Sequence, residues 1–214
     1  MSQQPPLPTR INTSDVDING VTYRLVAFYF PGSETGWDKY YDAAFLGNFY
    51  VLPAPVTLTV KGITASFHTA EAAFQATKWW GVDAVRNDLA NAPDGKAAFN
   101  IKSAAEISHP DWDHSYGGMG KDAAMRTILA LKFATPALED ALMLTGDAYL
   151  LEHKWKRGTD SYWSDGYDGN GTNMLGQALM EIRATKKNGK GNPIKPGTHY
   201  SVKDFTNGVM AADS

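Results

Sequence analysis

TAEAAFQATKWW, residues 69–80, is where the chain changes its periodicity. Before it, residues 21–30 (VTYRLVAFYF) and 56–67 (VTLTVKGITASF) are rich in β-branched and aromatic residues, and Lys61-Gly62 breaks the second into two strands. Asn19-Gly20 separates two shorter extended segments as a hairpin turn. After residue 67 the apolar positions recur at helical spacing. They predict helices over 70–80, 82–91, 95–106, 121–134, 136–144 and 173–186, with one short strand at 149–153. The reading is α+β: a predominantly helical single domain with a small sheet. Residues 1–15 read as a disordered lead and 16–185 as the core. Residues 186–214 read as a basic, Gly/Pro-rich C-terminal extension whose Lys186, Lys187, Lys190 and Lys195 either contact a phosphate backbone or, the favoured reading, face water as a solvated tail.

Composition narrows the function. Of 214 residues, 43% are apolar and 20% charged, enough to bury a sizeable core. No run approaches the ~20 apolar residues of a membrane span, and the polar, proline-rich start is no signal peptide. No membrane partner is expected, and the location expected is intracellular. The chain has no cysteine, which excludes disulfides, thiolate nucleophiles, cysteine-zinc sites and iron–sulfur clusters together. With 20 basic against 23 acidic residues the formal charge is −3, so any nucleic-acid contact is local and salt-sensitive. Six Trp, ten Tyr and nine Phe supply rings that stack on bases and sugars as well as fill a core.

Three stretches carry chemistry. On a helix starting near Ala70, Gln75 lies about 40° from Glu71, and Lys78 about 20° from it on the other side. The three share one face, Phe74 and Trp79 flank it, and small residues at the back allow the helix to be enclosed. An acid, an amide and an amine between aromatic rings suit a polar ligand pocket. The alternative is a first-turn acid favoured by the helix dipole, with Lys78 solvated. The second stretch is WSDGYDGNGTNMLG, residues 163–176, where Gly166, Gly169 and Gly171 lead into a helix near Asn173. Free amides at such a start receive a phosphate. The spacing is neither a P-loop nor a dinucleotide fingerprint, and Asp165 and Asp168 lack the pattern of a calcium loop. A plain glycine-rich turn is the alternative. Asp160 and Trp163 place a carboxylate and a stacking ring at its head. The third stretch, HPDWDH (109–114), fits no established zinc spacing, and Trp112 is its candidate for stacking on a ligand. No Gly-x-Ser-x-Gly elbow and no His-Glu-x-x-His motif is present. Residues alone therefore predict a nucleotide or sugar-phosphate pocket with no cofactor and no metal.

In order, FLGNFY (45–50), TAEAAFQATKWW (69–80), DWD (111–113), MRTILALKF (125–133), LTGDAYLLEH (144–153) and DSYWSDGYDGNGTNMLGQALMEIR (160–183) form a specific combination. Together they resemble the NADAR family, across about residues 23–184. There are departures. Ala72 stands where the family has a His after the helix Glu, Asn100-Ile101-Lys102 where it has Gly-Arg, and Ser164 where it has Gly. The loop 32–42 and the C-terminal extension go beyond a minimal member.

The resemblance implies hydrolysis of the N-glycosidic bond between ribose C1 and an exocyclic amine. Two substrate classes follow: ADP-ribose on the amino group of guanine, in nucleic acid or nucleotide, and a phosphoribosylamino-pyrimidine from early riboflavin synthesis. The altered Gly-Arg region and the added segments favour the first. A module that binds ADP-ribose or NAD without cleaving it is the non-enzyme alternative. For that chemistry the residues themselves suggest Glu71, Lys78 and Asp160 for catalysis. They suggest Asn48, Phe49, Thr69, Gln75, Lys102, Trp112, Trp163, Asp165, Gly166, Gly169, Gly171 and Asn173 for substrate binding. In one mechanism an uncharged Lys78 attacks the opened imine at C1 and Glu71 shuttles protons. In the other, Glu71 or Asp160 activates water directly. The residues give no oligomeric state.

Overall fold

The computed structural model describes residues 6–29, 36–158 and 160–209. The first elements are β1 (Ser14–Ile18), β2 (Val21–Phe28), α1 (Gly36–Tyr41), β3 (Val51–Val60) and β4 (Ile63–Thr69). The helices α2 (Ala70–Ala76), α3 (Asp83–Ala90), α4 (Gly95–Ser108), α5 (Lys121–Lys132) and α6 (Pro136–Leu144) follow. β5 (Tyr149–Glu152), α7 (Met174–Ala184) and α8 (Val202–Thr206) complete the order, and the class is the α+β expected. The chain forms two compact units, one from residues 48–136 and one from 1–47 with 137–214.

In the unit of residues 48–136, β3 and β4 form an antiparallel hairpin over Lys61 and Gly62, whose φ angles of 51° and 80° suit a tight reversal. Val56, Leu58 and Val60 face inward. Between them Thr57 pairs with Ser66, and Thr59 with Thr64, through their hydroxyls on the exposed face. The chain passes from β4 directly into α2, and Thr69 serves both. It is the last strand residue and the N-cap, its hydroxyl accepting the Ala72 N–H at 3.0 Å. Ala70, Ala72, Ala73 and Ala76 are fully buried, and their small side chains let α2 pack against β4, α3, α4 and α5. Every residue from 69 to 80 is buried. The helix expected over 70–80 tightens after Ala76 into a 3₁₀ turn, Thr77–Trp79.

In the other unit, β2 is the middle strand of a three-stranded sheet, antiparallel to β1 and parallel to β5. Leu25, Val26, Ala27 and Phe28 are completely buried, as a central strand requires. α7 packs on β5. Two expectations differ here. β1 starts at Ser14, inside the stretch read as a disordered lead, while residues 1–5 lie outside the described residues. The extension after residue 186 is not wholly a solvated tail. The guanidinium of Arg183 donates to the carbonyls of Lys190 (2.6 Å), Gly191 (2.9 Å) and Ala148 (2.8 Å) and to the Thr145 hydroxyl (2.8 Å). Farther on, α8 buries Phe205 completely, its ring stacked on Tyr149 at 3.8 Å between centroids. Ser201 and Asp204 close a capping box at the start of α8. α1 likewise forms inside the expected loop 32–42 and buries Trp37 and Tyr41; residues 32–35 of that loop, and 30 and 31 before it, lie outside the described residues.

Phe205→Ala should lower the free energy of unfolding by roughly 3–5 kcal/mol, the usual cost of emptying a buried aromatic site. Urea denaturation followed by tryptophan fluorescence reads this directly. A loss under about 1 kcal/mol would mean that the C-terminal helix does not hold the sheet.

Candidate active site

The α2 face expected from the sequence forms inside the protein. Glu71, Gln75 and Lys78 are each 8% exposed, so the reading of Lys78 as a solvated charge does not hold. The Gln75 side-chain amide donates to Glu71 Oε1 at 2.9 Å, one helical turn away. Gln75 Oε1 is buried and has no hydrogen-bond partner among the described residues. An acceptor left in that state costs stability unless a donor arrives from outside the chain. The backbone adds a constraint: the Glu71 N–H donates to the Asn48 carbonyl at 2.9 Å, which ties the FLGNFY segment to the start of the helix. Asn48 Oδ1 is likewise buried with no partner among the described residues, while its amide reaches Met125 Sδ at 3.5 Å.

The Lys78 ammonium sits among rings, 5.0 Å from the centroid of Trp112, 5.9 Å from Tyr116 and 6.0 Å from Trp79. Such faces stabilise the cation only in part. Burial is the largest influence on Lys78 and moves its pKa below the ordinary lysine value. The charge of Lys102 pushes the same way, and Glu106 and Glu71 pull against it. Lys102 and Glu106 form an ion pair at 2.8 Å on α4. Glu106 and Tyr116 were not picked out in the sequence, since each reaches Lys78 from a different element and no local spacing marks it. The Tyr116 ring stacks on Phe74 at 5.3 Å, so the aromatic enclosure of α2 is continuous.

Another buried amine lies in this unit. Lys132 on α5 is fully buried, and desolvation lowers its pKa to about 7. With no exposed surface it offers a substrate no approach, whereas Lys78 retains some.

The structure gives several expected site residues other work. Thr69 is completely buried and caps α2. Phe49 packs against the start of α4, where a side chain at Gly95 would come within 2.5 Å of its Cα. Trp112 lines Lys78 and is covered on one side by His114, 3.7 Å between ring centroids. Within HPDWDH, Asp113 accepts the Ser115 N–H at 2.8 Å and the Gly117 N–H at 3.2 Å, so it closes a turn. Among the described residues no group of three or more His, Asp and Glu is placed to hold a metal.

In the other unit the glycine-rich loop spends its amides on itself. The N–H groups of Gly171, Asn173, Met174 and Leu175 donate to the carbonyls of Asp165, Ser164, Tyr162 and Trp163 at 2.8–3.1 Å. The expected phosphate cradle of free amides at the start of α7 is therefore not present at those four positions. Gly171 and Gly169 are needed for fit: a Cβ would come within 2.3 Å of the Ser164 carbonyl and of Lys203 Cα, respectively. Gly166, at φ 72°, turns the chain, its N–H held by the Ser164 hydroxyl at 3.1 Å. Asn173 holds a left-handed conformation, and its side chain accepts from Glu152 N–H and donates to the Leu150 carbonyl.

Asp165 is fully buried and joins four groups: His153 Nδ1 at 2.6 Å, the Thr206 hydroxyl at 2.9 Å and the amides of Tyr167 and Lys154. Burial works to raise its pKa. The His153 contact and the two amides outweigh burial and hold it below the ordinary carboxylate value. Asp160 receives the Trp163 N–H at 3.1 Å, and the Ser164 hydroxyl bonds its carbonyl at 2.6 Å; both Asp160 and Trp163 are half-buried.

Known proteins share much of this chain. The NADAR domain model matches residues 36–185, which run through both units. N-glycosidase YbiA of Shigella boydii is 45% identical over 148 residues, 68% of this chain and 81% of that protein. A riboflavin biosynthesis protein of Vibrio vulnificus is 33% identical over 161 residues, 74% of this chain. This chain spans 37% of that longer protein. The NMR structure of the E. coli protein YbiA aligns with a TM-score of 0.55 at 27% identity, covering 75% of this chain and 84% of that one.

The Lys78 environment makes a titration testable. Pulsed labelling with an amine reagent, read by peptide mass spectrometry, should give Lys78 a midpoint below the 10.5 of an ordinary lysine. Lys102→Met removes a positive charge and should raise that midpoint, while Glu106→Gln removes a negative one and should lower it further. Equal midpoints in all three proteins would show that the α4 pair does not act on Lys78.

Proposed function

The chain belongs to the NADAR family, and we propose that it is an N-glycosidase that cleaves the bond between ribose C1 and an exocyclic amine. The observation that carries the reading is the enclosed face of α2: a carboxylate, an amide and an amine of lowered pKa, all buried, ringed by aromatic side chains. Relatives named N-glycosidases match most of the same residues.

The chemistry follows from those groups. A glycosylamine opens when Glu71, in its protonated form, gives its proton to the ring oxygen, which leaves an imine cation at C1. The neutral Lys78 amine adds to C1, Glu71 takes up the proton that Lys78 loses and passes it to the base, and the base departs as the free amine. Water then adds to the Lys78 Schiff base, with Glu71 accepting its proton, and releases the sugar with the amine of Lys78 restored. The net change consumes one water per bond. Gln75 orients Glu71 through its amide, and its unpartnered Oε1 accepts a ribose hydroxyl. Asn48 Oδ1 offers a second buried acceptor. The competing route has Glu71 or Asp160 activate water against an oxocarbenium-like C1, with Lys78 binding only.

For the substrate we favour ADP-ribose on the amino group of guanine. Lys102, at the place of the family's Gly-Arg, is paired with Glu106 and lacks the planar fork that grips a terminal phosphate. The second reading, a phosphoribosylamino-pyrimidine, is favoured by the name of the Vibrio relative.

Purified protein incubated with an oligonucleotide carrying ADP-ribose on guanine should release ADP-ribose and restore the base, as read by mass spectrometry. Cleavage of a phosphoribosylamino-pyrimidine alone would select the second substrate, and cleavage of neither would leave a binding module. Glu71→Gln should lower turnover by about two to four orders of magnitude. Borohydride added during turnover should leave the sugar on Lys78 and not on Lys132. Full turnover with no adduct would support direct hydrolysis.

A further inference from the structure

Beyond the end of β5 the sequence reads HKWKRG, residues 153–158, and most of it is at the surface. His153 points inward to Asp165, Lys154 is half-buried with its N–H on the same carboxylate, and the residues after them are exposed. Trp155 is 49% exposed, and Lys156, Arg157 and Gly158 are exposed as well. A single exposed apolar residue is ordinary on a protein surface. Here the company is unusual. Three cations, Lys154, Lys156 and Arg157, surround one indole in four consecutive residues, and residues 153–159 contain no acid, in a chain whose formal charge is −3. The Lys156 ammonium lies 4.6 Å from the centre of the Trp155 ring. Lys154 and Lys156 have no carboxylate partner among the described residues. Arg157 reaches Asp168 at 3.1 Å, which ties the segment to the glycine-rich loop of the same unit, while three-quarters of its side chain stays in water.

We propose that residues 154–157 form a platform for single-stranded nucleic acid, with Trp155 stacking on an unpaired base and Lys154, Lys156 and Arg157 meeting the flanking phosphates. An exposed indole suits any base, since each has a π-face, and cations beside it track the backbone. A membrane surface fits less well: the segment has one apolar side chain, and interfacial binding needs a larger buried apolar area. Duplex fits less well too, because stacking needs a base outside its pair. The proposal deepens the reading of the function as removal of ADP-ribose from guanine and rests on it. A guanine whose amino group carries ADP-ribose must bring that bulky group to the enzyme, which an unpaired strand allows more readily than a duplex.

The test needs no catalysis. Fluorescence anisotropy of a labelled, unmodified 12-nucleotide strand is measured in deoxythymidine and uridine forms, beside a duplex of the same length and vesicles of one-third phosphatidylserine. The single strand should bind more tightly than the duplex, and the vesicles should not bind. Three phosphate contacts predict that a tenfold rise in salt weakens strand binding by about 100-fold. Trp155→Ala should weaken it by about 5- to 150-fold. Lys156→Gln with Arg157→Gln should flatten the salt dependence. Equal affinity of wild type and Trp155→Ala would overturn the proposal, as would preference for duplex or capture by vesicles. Thermal melting of each variant confirms that it is folded. Strand binding without any cleavage would sink the enzymatic reading and leave the platform standing. Cleavage of the modified mononucleotide with no strand binding would do the reverse.

Discussion

An amine buried among rings is the constraint on which the unit of residues 48–136 is organised. Taking Lys78 out of water disfavours its charged form, and the protein offsets this partly with the faces of Trp112, Tyr116 and Trp79 and with carboxylates on α2 and α4. That environment exists only because α2 is enclosed on all sides, and the enclosure exists because its back is built of alanine. A larger residue at Ala70, Ala73 or Ala76 would move β4 or a neighbouring helix and open the site to water. Ala72 belongs to the same argument. The family's His at that place would be a larger polar ring, whereas here the position is fully buried and its N–H is held by Thr69.

The contrast between Asp165 and Glu71 shows how a carboxylate's surroundings decide its work. Both are buried. Asp165 meets four donors or partners, from the end of β5, the glycine-rich loop and α8, and they hold it ionised. It is architecture. Such a group is poorly suited to moving protons, because taking one up would break the contacts that fix the loop. Glu71 faces an amide that holds one of its oxygens, beside an amine whose protonation depends on it. The second environment is the one in which a proton can change hands.

Much of this was legible in the sequence, and the part that was not has physical reasons. Asn19-Gly20 and Lys61-Gly62 announce their hairpins because few residues adopt positive φ twice in succession. The α2 face was legible because 3.6-residue periodicity places Glu71, Gln75 and Lys78 together whatever surrounds them. Glu106 and Tyr116 reach Lys78 through tertiary packing, which local spacing does not encode. The glycine-rich loop misled for a related reason. Glycines that cradle a phosphate and glycines that let backbone strands touch look alike in one dimension, and only the contacts of Gly169 and Gly171 tell them apart. α8 is a five-residue helix anchored by a single aromatic, too short to display a period.

Charge distribution carries the same lesson about locality. A formal charge of −3 argues against a surface that grips polynucleotide broadly, yet it says nothing of four consecutive residues. Phosphate contact depends on the cations within a Debye length of the strand, about 8 Å at physiological salt, and distant carboxylates are screened. Neither Lys154 nor Lys156 forms an ion pair among the described residues, although Asp165 lies at the Lys154 N–H, and Asp168 engages Arg157. Weak, salt-limited attachment of this kind would suit the proposed removal of an adduct from a strand, after which the strand has to leave. A uniformly basic surface would retain product and slow turnover. The acidic remainder of the chain is therefore compatible with nucleic acid as substrate, provided the contact stays small and includes a ring.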